Sequence, residues 1–128
     1  YAAIVARIAA VWMSLSGIIN SHLIMASAVM AHGTEAQKRD LLPRFASGAL
    51  RGGIGLTEPD AGTDLQAIRT RAVREGKHYV INGSKTWITN SLHGGCLALL
   101  VKTDPQAEPR HKGMSLFIAE KGPGFIVT

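Results

Sequence analysis

The sequence predicts an α+β chain, in which an α-helical N-terminal portion is followed by an antiparallel β-barrel or sandwich. A nearly uninterrupted apolar run covers residues 2–31, which is typical of a helix packed inside a bundle. After Arg51 the apolar runs become short and are separated by turn residues, which is typical of an all-β domain. The pair Asn82-Gly83 stands between two such runs and predicts a hairpin turn, because both turn positions need positive φ.

The first apolar run has two alternative interpretations. Residues 8–31 contain no Lys, Arg, Asp or Glu, so a membrane span is an alternative to a bundle helix. Asn20, Ser21 and His22 would then lie near the bilayer centre, where polar side chains need partners. Gly17 could also divide the run into two helices, each too short to span. The residues alone favour the bundle helix and leave the membrane span open.

A second, shorter helix is predicted after Gly33. Gly33 supplies the end of the first helix and Thr34 supplies an N-cap for the next. Thr34 with Gln37 three residues later fits a capping box, in which each residue satisfies a backbone N–H of the other. The buried side of this helix is expected to consist of Leu41, Leu42 and Phe45.

The rest of the chain reads as strands and turns. Seven apolar or alternating runs predict strands at residues 53–57, 68–73, 79–81, 85–89, 96–102, 115–119 and 125–127. Lys85 is expected on the solvated face of its run, and Cys96 is expected to be a small buried hydrophobe. The change of pattern near residue 50 predicts a helical domain over residues 1–50 and a β-domain over residues 51–128.

Composition sets broad limits on partners and compartment. The formal net charge of +5 mildly favours anionic partners, such as phosphorylated cofactors or nucleic acid. The single cysteine, Cys96, cannot form an internal disulfide, so a reducing compartment is expected. The chain opens without methionine inside a helical pattern and stops after an apolar run, so we expect a fragment of a longer protein.

Several kinds of site are not expected. The chain has no G-x-G-x-x-G and no phosphate loop ending in Gly-Lys-Ser/Thr, which argues against a Rossmann dinucleotide site. The histidines are scattered and lack metal-ligand spacing, so no metal site is expected. Glu58, Asp60 and Asp64 lie close together and could suggest metal or acid–base work. Turn and capping chemistry is the favoured interpretation of these three carboxylates.

Two segments resemble signatures of the acyl-CoA dehydrogenase family. Residues 56–64, which read L-T-E-P-D-A-G-T-D, are similar to the family signature L-T-E-P-x-A-G-S-D. Residues 82–90, which read N-G-S-K-T-W-I-T-N, are similar to the family signature N-G-x-K-x-W-I-T-N. Segments 33–48 and 103–125 resemble the helix before the family's β-domain and its later strands, so the resemblance extends over nearly the whole chain. Residues 91–96 depart from the pattern of many members, which leaves the subfamily open.

The resemblance implies FAD as cofactor and acyl-CoA as substrate. Flavin dehydrogenation needs hydrogen-bond donors near N1, O2 and N5 of the ring, which strand edges and threonine hydroxyls can supply. The resemblance implies that Ile54, Gly55, Leu56 and Thr57 line one edge of the flavin, with Thr57 near its N1/O2 side.

The second signature and the end of the first imply further contacts. Trp87 would cover the flavin ring with Ile88 beside it, and the hydroxyl of Thr89 would point towards N5. Gly62 would let the backbone approach a phosphate closely. Thr63 stands where the family usually has serine, and the resemblance implies that it contacts the FAD pyrophosphate and the acyl-CoA.

The resemblance also implies the reaction. In the family a glutamate removes the α-proton of the acyl thioester while the β-hydride passes to flavin N5, giving a trans-2-enoyl-CoA. That glutamate lies in a C-terminal helical domain, and none of the five glutamates here falls in a matching context. No catalytic residue is therefore named, and the fragment alone is expected to be inactive.

The resemblance implies two kinds of protein partner. One is electron-transfer flavoprotein, and the other is further copies of the full-length chain, which would form a homotetramer. The implied compartment is the bacterial cytoplasm or the mitochondrial matrix, with no nucleic-acid partner and no membrane span. A related acyl-CoA oxidase or nitroalkane-oxidase-like flavoenzyme would share these segments, as would a non-catalytic binding relative. The retention of Thr57, Trp87 and Thr89 argues against the non-catalytic alternative.

Overall fold

The computed structural model describes all residues from Tyr1 to Thr128, and it places two helices before five strands. The elements are α1 (Ala2–His32), α2 (Glu35–Ala46), β1 (Gly52–Gly55), β2 (Arg71–Glu75), β3 (His78–Asn82), β4 (Cys96–Lys102) and β5 (Met114–Glu120). Two short 3-10 helices, Leu65–Ala67 and Arg110–Gly113, lie between strands. This order confirms the predicted helical portion followed by a β portion.

The chain divides into two compact units. The first unit contains residues 1–54, 89–97 and 120–128, and the second contains residues 55–88 and 98–119. The buried apolar side chains of the first unit are Met25, Val29, Leu41, Phe45, Leu50, Cys96 and Leu97. Those of the second unit are Ala61, Ile68, Ala72, Ala98 and Val101. The prediction of a buried Cys96 is confirmed, because it is fully buried and its Sγ lies 3.7 Å from the Sδ of Met25.

Helix α1 is interrupted at Trp12. The backbone there is extended, with φ −153° and ψ 98°, so two helical segments meet at this residue. The hydroxyl of Tyr1 bonds the side chain of Asn20, whereas a straight helix would separate these positions by about 28 Å. The chain therefore folds back at Trp12, and the break does not fall at Gly17. By length and composition alone, α1 could cross a membrane. A chain with one such helix is only weak evidence for a membrane span.

Helix α2 begins with the predicted capping box. The backbone N–H of Gln37 donates to the hydroxyl of Thr34 at 3.2 Å, and the N–H of Thr34 donates to the side chain of Gln37 at 2.8 Å. Leu41 and Phe45 are buried, whereas Leu42 is only partly covered.

The strands form one open, mixed sheet in the order β1-β4-β2-β3, and β5 also pairs with β4. Strands β2 and β3 pair antiparallel from Arg71↔Asn82 to Glu75↔His78. Strands β2 and β4 pair parallel at Arg71↔Lys102. The prediction of an antiparallel domain was therefore incomplete, since the connection from β3 to β4 brings β4 beside β2 in the parallel direction.

The predicted hairpin turn at Asn82-Gly83 is wrong. The turn between β2 and β3 is Gly76-Lys77, with Gly76 at φ 61°. Asn82 is instead the last paired residue of β3, and a side chain on Gly83 would overlap Thr70. Glycine at position 83 thus allows two backbone segments to approach closely. The strands predicted over residues 85–89 and 125–127 do not form.

Candidate functional site

The loop that follows β1 is held by the carboxylate of Glu58. This side chain is buried and accepts hydrogen bonds from the backbone N–H groups of Arg69 at 2.6 Å and Thr70 at 3.0 Å. The backbone of Glu58 also forms an isolated antiparallel bridge with Ala61. One carboxylate therefore fixes a tight loop against the segment that leads into β2.

The ammonium group of Lys85 forms an ion pair with Glu58, with Nζ 2.7 Å from Oε1 of the carboxylate. Burial by itself raises the pKa of the Glu58 carboxyl, but hydrogen bonds from Arg69 N–H, Lys85 and Thr70 outweigh it and lower the pKa to about 2. Glu58 is therefore ionised at neutral pH and acts as a fixed acceptor. It is unsuited to act as a general base, because a group with such a low pKa binds a proton weakly.

Lys85 is not on a solvated face, and that expectation was wrong. Its side chain is 8% exposed and also donates to the carbonyl oxygen of Leu56 at 2.9 Å. Residues 85–89 leave the sheet after β3, so the alternation of a strand does not apply to them. Glu58 and Lys85 are 27 residues apart along the chain, and their ion pair joins the two segments that carry the signatures.

Thr57 lies between Leu56 and Glu58, the two residues that Lys85 contacts. Its carbonyl oxygen accepts the N–H of Thr86 at 2.9 Å, whereas neither its own N–H nor its hydroxyl bonds to another group of the chain. Gly55, two residues earlier, is buried, and a side chain there would lie 2.7 Å from Leu99. Gly55 therefore has a packing role, while the donors of Thr57 remain available to a ligand.

Gly62 and Thr63 are exposed at the end of the same loop. A side chain at Gly62 would meet no atom within 4 Å, so the structure of the chain itself does not require glycine there. Asp64 accepts the N–H of Gln66 at 3.1 Å and caps the first 3-10 helix. Asp60 pairs with Arg69 at the surface. The carboxylates of this loop thus have separate structural partners, in agreement with the favoured interpretation.

Trp87 has an unusual position and backbone conformation. The residue is 91% exposed, and its backbone has φ 58°, in the left-handed region. Positive φ is rare for a bulky residue and costs free energy, as does an indole left in water. A core role for Trp87 is therefore excluded within this chain. Ile88, the next residue, is partly covered.

Ile54 and Thr89 belong to the first unit. Ile54 is partly covered and Thr89 is exposed, with a hydroxyl that bonds to no other group of the chain. A side chain on Gly53 would overlap the carbonyl oxygen of Thr89. The backbone at Thr89 is thus packed directly against β1.

Asn90, which follows Thr89, anchors this part of the first unit. Its amide donates to the carbonyl oxygens of Ile18 at 3.1 Å and Gly52 at 3.0 Å. The N–H of Gly52 in turn donates to Nδ1 of His22 at 3.2 Å, and Nε2 of that ring lies 3.2 Å from the carbonyl oxygen of Phe45. This arrangement assigns His22 a structural role.

Sequence reasoning missed Lys85 and Asn90 as functional candidates. Lys85 is a fixed position of the second signature, but its role could not be read from the sequence, because its partners depend on the path of the chain after β3. Asn90 carried a weak one, since asparagine is among the few residues that accept positive φ readily, and its φ is 68°.

Two family models match this chain. The model of the acyl-CoA dehydrogenase middle domain matches residues 53–128, and the model of the N-terminal domain of the same family matches residues 1–49. The N-terminal match includes the whole of α1.

Individual relatives agree with these matches. The chain is 45% identical over 101 residues to the acyl-CoA dehydrogenase FadE29 of Mycobacterium tuberculosis. The matched region covers 78% of this chain and 26% of that protein. It is similar to the crystal structure of an acyl-CoA dehydrogenase from Geobacillus kaustophilus, with TM-score 0.77 and 43% identity, over 84% of this chain and 28% of the other.

A third relative is a glutaryl-CoA dehydrogenase from Mycobacterium smegmatis, whose structure is a complex with FADH2. The similarity has a TM-score of 0.69 and 36% identity, over 78% of this chain and 24% of the other. The chain spans about a quarter of the length of the curated relatives it matches.

Proposed function

This chain belongs to the acyl-CoA dehydrogenase family, and on that premise we propose that it is part of a flavoenzyme that converts acyl-CoA thioesters to trans-2-enoyl-CoA. Residues 1–50 would be the last part of the N-terminal helical domain, and residues 51–128 would be part of the middle β-domain. We assign the activity to a longer protein, since the chain spans about a quarter of the length of its relatives. The chain alone would be inactive, since none of its glutamates would be the catalytic base.

The observation that carries the proposal is the state of Trp87. A tryptophan that is 91% exposed on a backbone with φ 58° is costly for the chain alone. A flat aromatic ligand stacked on that indole would recover the cost of its exposure. The isoalloxazine ring of FAD is such a ligand, and a related structure contains FADH2.

The donors of the second unit support the same cofactor. The N–H and hydroxyl of Thr57 and the hydroxyl of Thr63 have no partner in the chain, so they can bind ligand oxygens and nitrogens. Thr57 would donate to the N1/O2 edge of the flavin, with Gly55, Leu56 and Ile88 lining the ring. Gly62 and Thr63 would receive the pyrophosphate, and Thr63 would also contact the acyl-CoA.

Ile54 and Thr89 are the remaining residues that we assign to the flavin. The free hydroxyl of Thr89 would donate to flavin N5, and Ile54 would contact the ring edge. Bound FAD supplies the hydride acceptor of the reaction, and the chain's own residues bind and orient it. Electron-transfer flavoprotein would then accept two electrons, and the full-length enzyme would be a homotetramer in the bacterial cytoplasm or the mitochondrial matrix.

The test is anaerobic mixing of the full-length protein with acyl-CoA thioesters of several chain lengths. We expect a yellow protein with about one FAD per chain, whose flavin absorbance bleaches as enoyl-CoA forms. A colourless protein would favour the non-catalytic alternative, and rapid reoxidation by oxygen would favour an oxidase. The isolated chain of residues 1–128 should bind FAD weakly or not at all, and a stoichiometric flavin spectrum from it would contradict this.

A further inference from the structure

Lys85 acts on one particular peptide group of the chain. Its ammonium group donates to the carbonyl oxygen of Leu56 at 2.9 Å. That oxygen belongs to the same peptide group as the N–H of Thr57, which has no acceptor in the chain. A buried cation therefore touches one end of a peptide whose other end is free to bind a ligand.

A charged donor on a carbonyl oxygen polarises the whole peptide group. Electron density moves towards the oxygen, and the N–H becomes more positive and a stronger donor, as in chains of hydrogen bonds. The effect is larger where water is excluded, because the effective dielectric constant is lower. Lys85 is 8% exposed, so this condition is met.

We propose that Lys85 is a positioning residue for the cofactor: by bonding Leu56, it strengthens Thr57 N–H as a donor and stabilises reduced over oxidised FAD. This inference rests on the proposed function, since it needs flavin at Thr57. Negative charge grows on the N1/O2 edge of a flavin when it is reduced, so a stronger donor there favours the reduced form. The midpoint potential of bound FAD is therefore higher with Lys85 than without it.

Glu58 holds the ammonium group in place. Its Oε1 lies 2.7 Å from Nζ of Lys85, while the other carboxylate oxygen accepts the N–H of Arg69. The carboxylate also balances the charge of Lys85, so the pair adds little field at long range, and the direct hydrogen bond to Leu56 carries the effect. Removing Glu58 alone leaves the cation on Leu56 uncompensated, which strengthens the polarisation. The two residues of one ion pair thus have opposite effects on the potential.

The experiment compares midpoint potentials in the full-length holoenzyme. The double variant Glu58→Gln/Lys85→Met removes both charges and avoids a buried unpaired carboxylate. We expect the ratio of affinities for reduced and oxidised FAD to fall roughly 3- to 10-fold, which is at most about 30 mV for two electrons. Glu58→Gln alone is expected to raise the potential or leave it unchanged. Lys85→Arg, which keeps a charged donor, is expected to have a midpoint potential close to that of the wild type.

A matched control removes a cation that does not touch Leu56. Arg69 pairs with Asp60 at the surface, with side chains 79% and 69% exposed, so Arg69→Gln should leave the potential unchanged. The dissociation constant of oxidised FAD, measured in parallel, should change less than that of reduced FAD in the double variant. If the double variant does not retain FAD, the test rests on Glu58→Gln alone. A midpoint potential of that variant below the wild-type value overturns the proposal.

The two proposals fail differently. A wild-type protein without FAD contradicts the proposed function itself. A wild type that binds FAD, together with a double variant of unchanged potential, overturns only the role of Lys85. A fall of equal size in Arg69→Gln would also overturn it, because a long-range field would then explain the effect.

Discussion

The side-chain amide of Asn90 donates to the carbonyl oxygen of Gly52 at 3.0 Å, which ties the end of the second signature to β1. The same amide donates to Ile18 in α1 at 3.1 Å. The backbone of Asn90 has φ 68°, so this residue combines a conformational role with two hydrogen bonds. Both roles fix the residue that follows Thr89.

Substitutions at Asn90 should separate these two roles. Asn90→Gly keeps the positive φ and loses the amide, so it should lower the free energy of unfolding by about 1–2 kcal/mol. Asn90→Ala loses the amide and also strains the backbone by about 1–2 kcal/mol more. Chemical denaturation of the full-length protein measures both. Equal stability of the Ala and Gly variants would show that the positive φ carries no cost here.

Replacing Thr89 with valine should slow the reduction of the flavin. The variant removes one hydroxyl while nearly preserving shape, and that hydroxyl has no partner in the chain. Loss of a donor to N5 should cost about 1–3 kcal/mol, or roughly 5- to 150-fold in the rate of reduction by acyl-CoA. Stopped-flow bleaching measures the rate, and Ser84→Ala, at an exposed position nearby, is the control. Equal rates for wild type and Thr89→Val would remove Thr89 from the mechanism.

Two glycines should respond differently to alanine. Gly62→Ala places a methyl group where no atom lies within 4 Å, so the stability of the protein should hardly change. If its backbone approaches the FAD pyrophosphate, affinity for FAD should fall by about tenfold or more. Gly53→Ala would overlap the carbonyl oxygen of Thr89 and should destabilise the fold by about 1–3 kcal/mol. Titration with FAD and urea denaturation distinguish them. Unchanged FAD affinity in Gly62→Ala would argue against a phosphate at this loop.

The stability of the protein should depend on Glu58 in acid. Its pKa is lowered to about 2 in the folded chain from an ordinary value of 4.5. A lowered pKa contributes stability that is complete above the unfolded-state value and is lost as the pH falls through the folded value. The loss should therefore fall between pH 5 and 2 and reach at most about 3 kcal/mol. In Glu58→Gln this part of the pH dependence should disappear. Parallel stability curves for the two proteins across that window would show that Glu58 contributes none of it.

The sequence by itself determined the features that depend on neighbouring residues. The capping box of Thr34 and Gln37, the bounds of β4 and the burial of Cys96 follow from local propensity and apolar pattern. The two signatures were sufficient to identify the family, because residue order at fixed spacing is itself sequence information. The roles assigned to the site residues on that basis, such as Thr89 at flavin N5, stay predictions.

Only the tertiary structure decided the features that depend on the path of the chain. Asn82-Gly83 satisfied the local rule for a hairpin, yet the turn formed at Gly76-Lys77, because the register of β2 and β3 uses Asn82 as a strand residue. Lys85 had the alternation of a solvated strand residue, yet it is buried against Glu58. A charge becomes buried only where folding brings an opposite charge and hydrogen-bond acceptors to it. Partners 27 residues apart are fixed by packing rather than by local pattern.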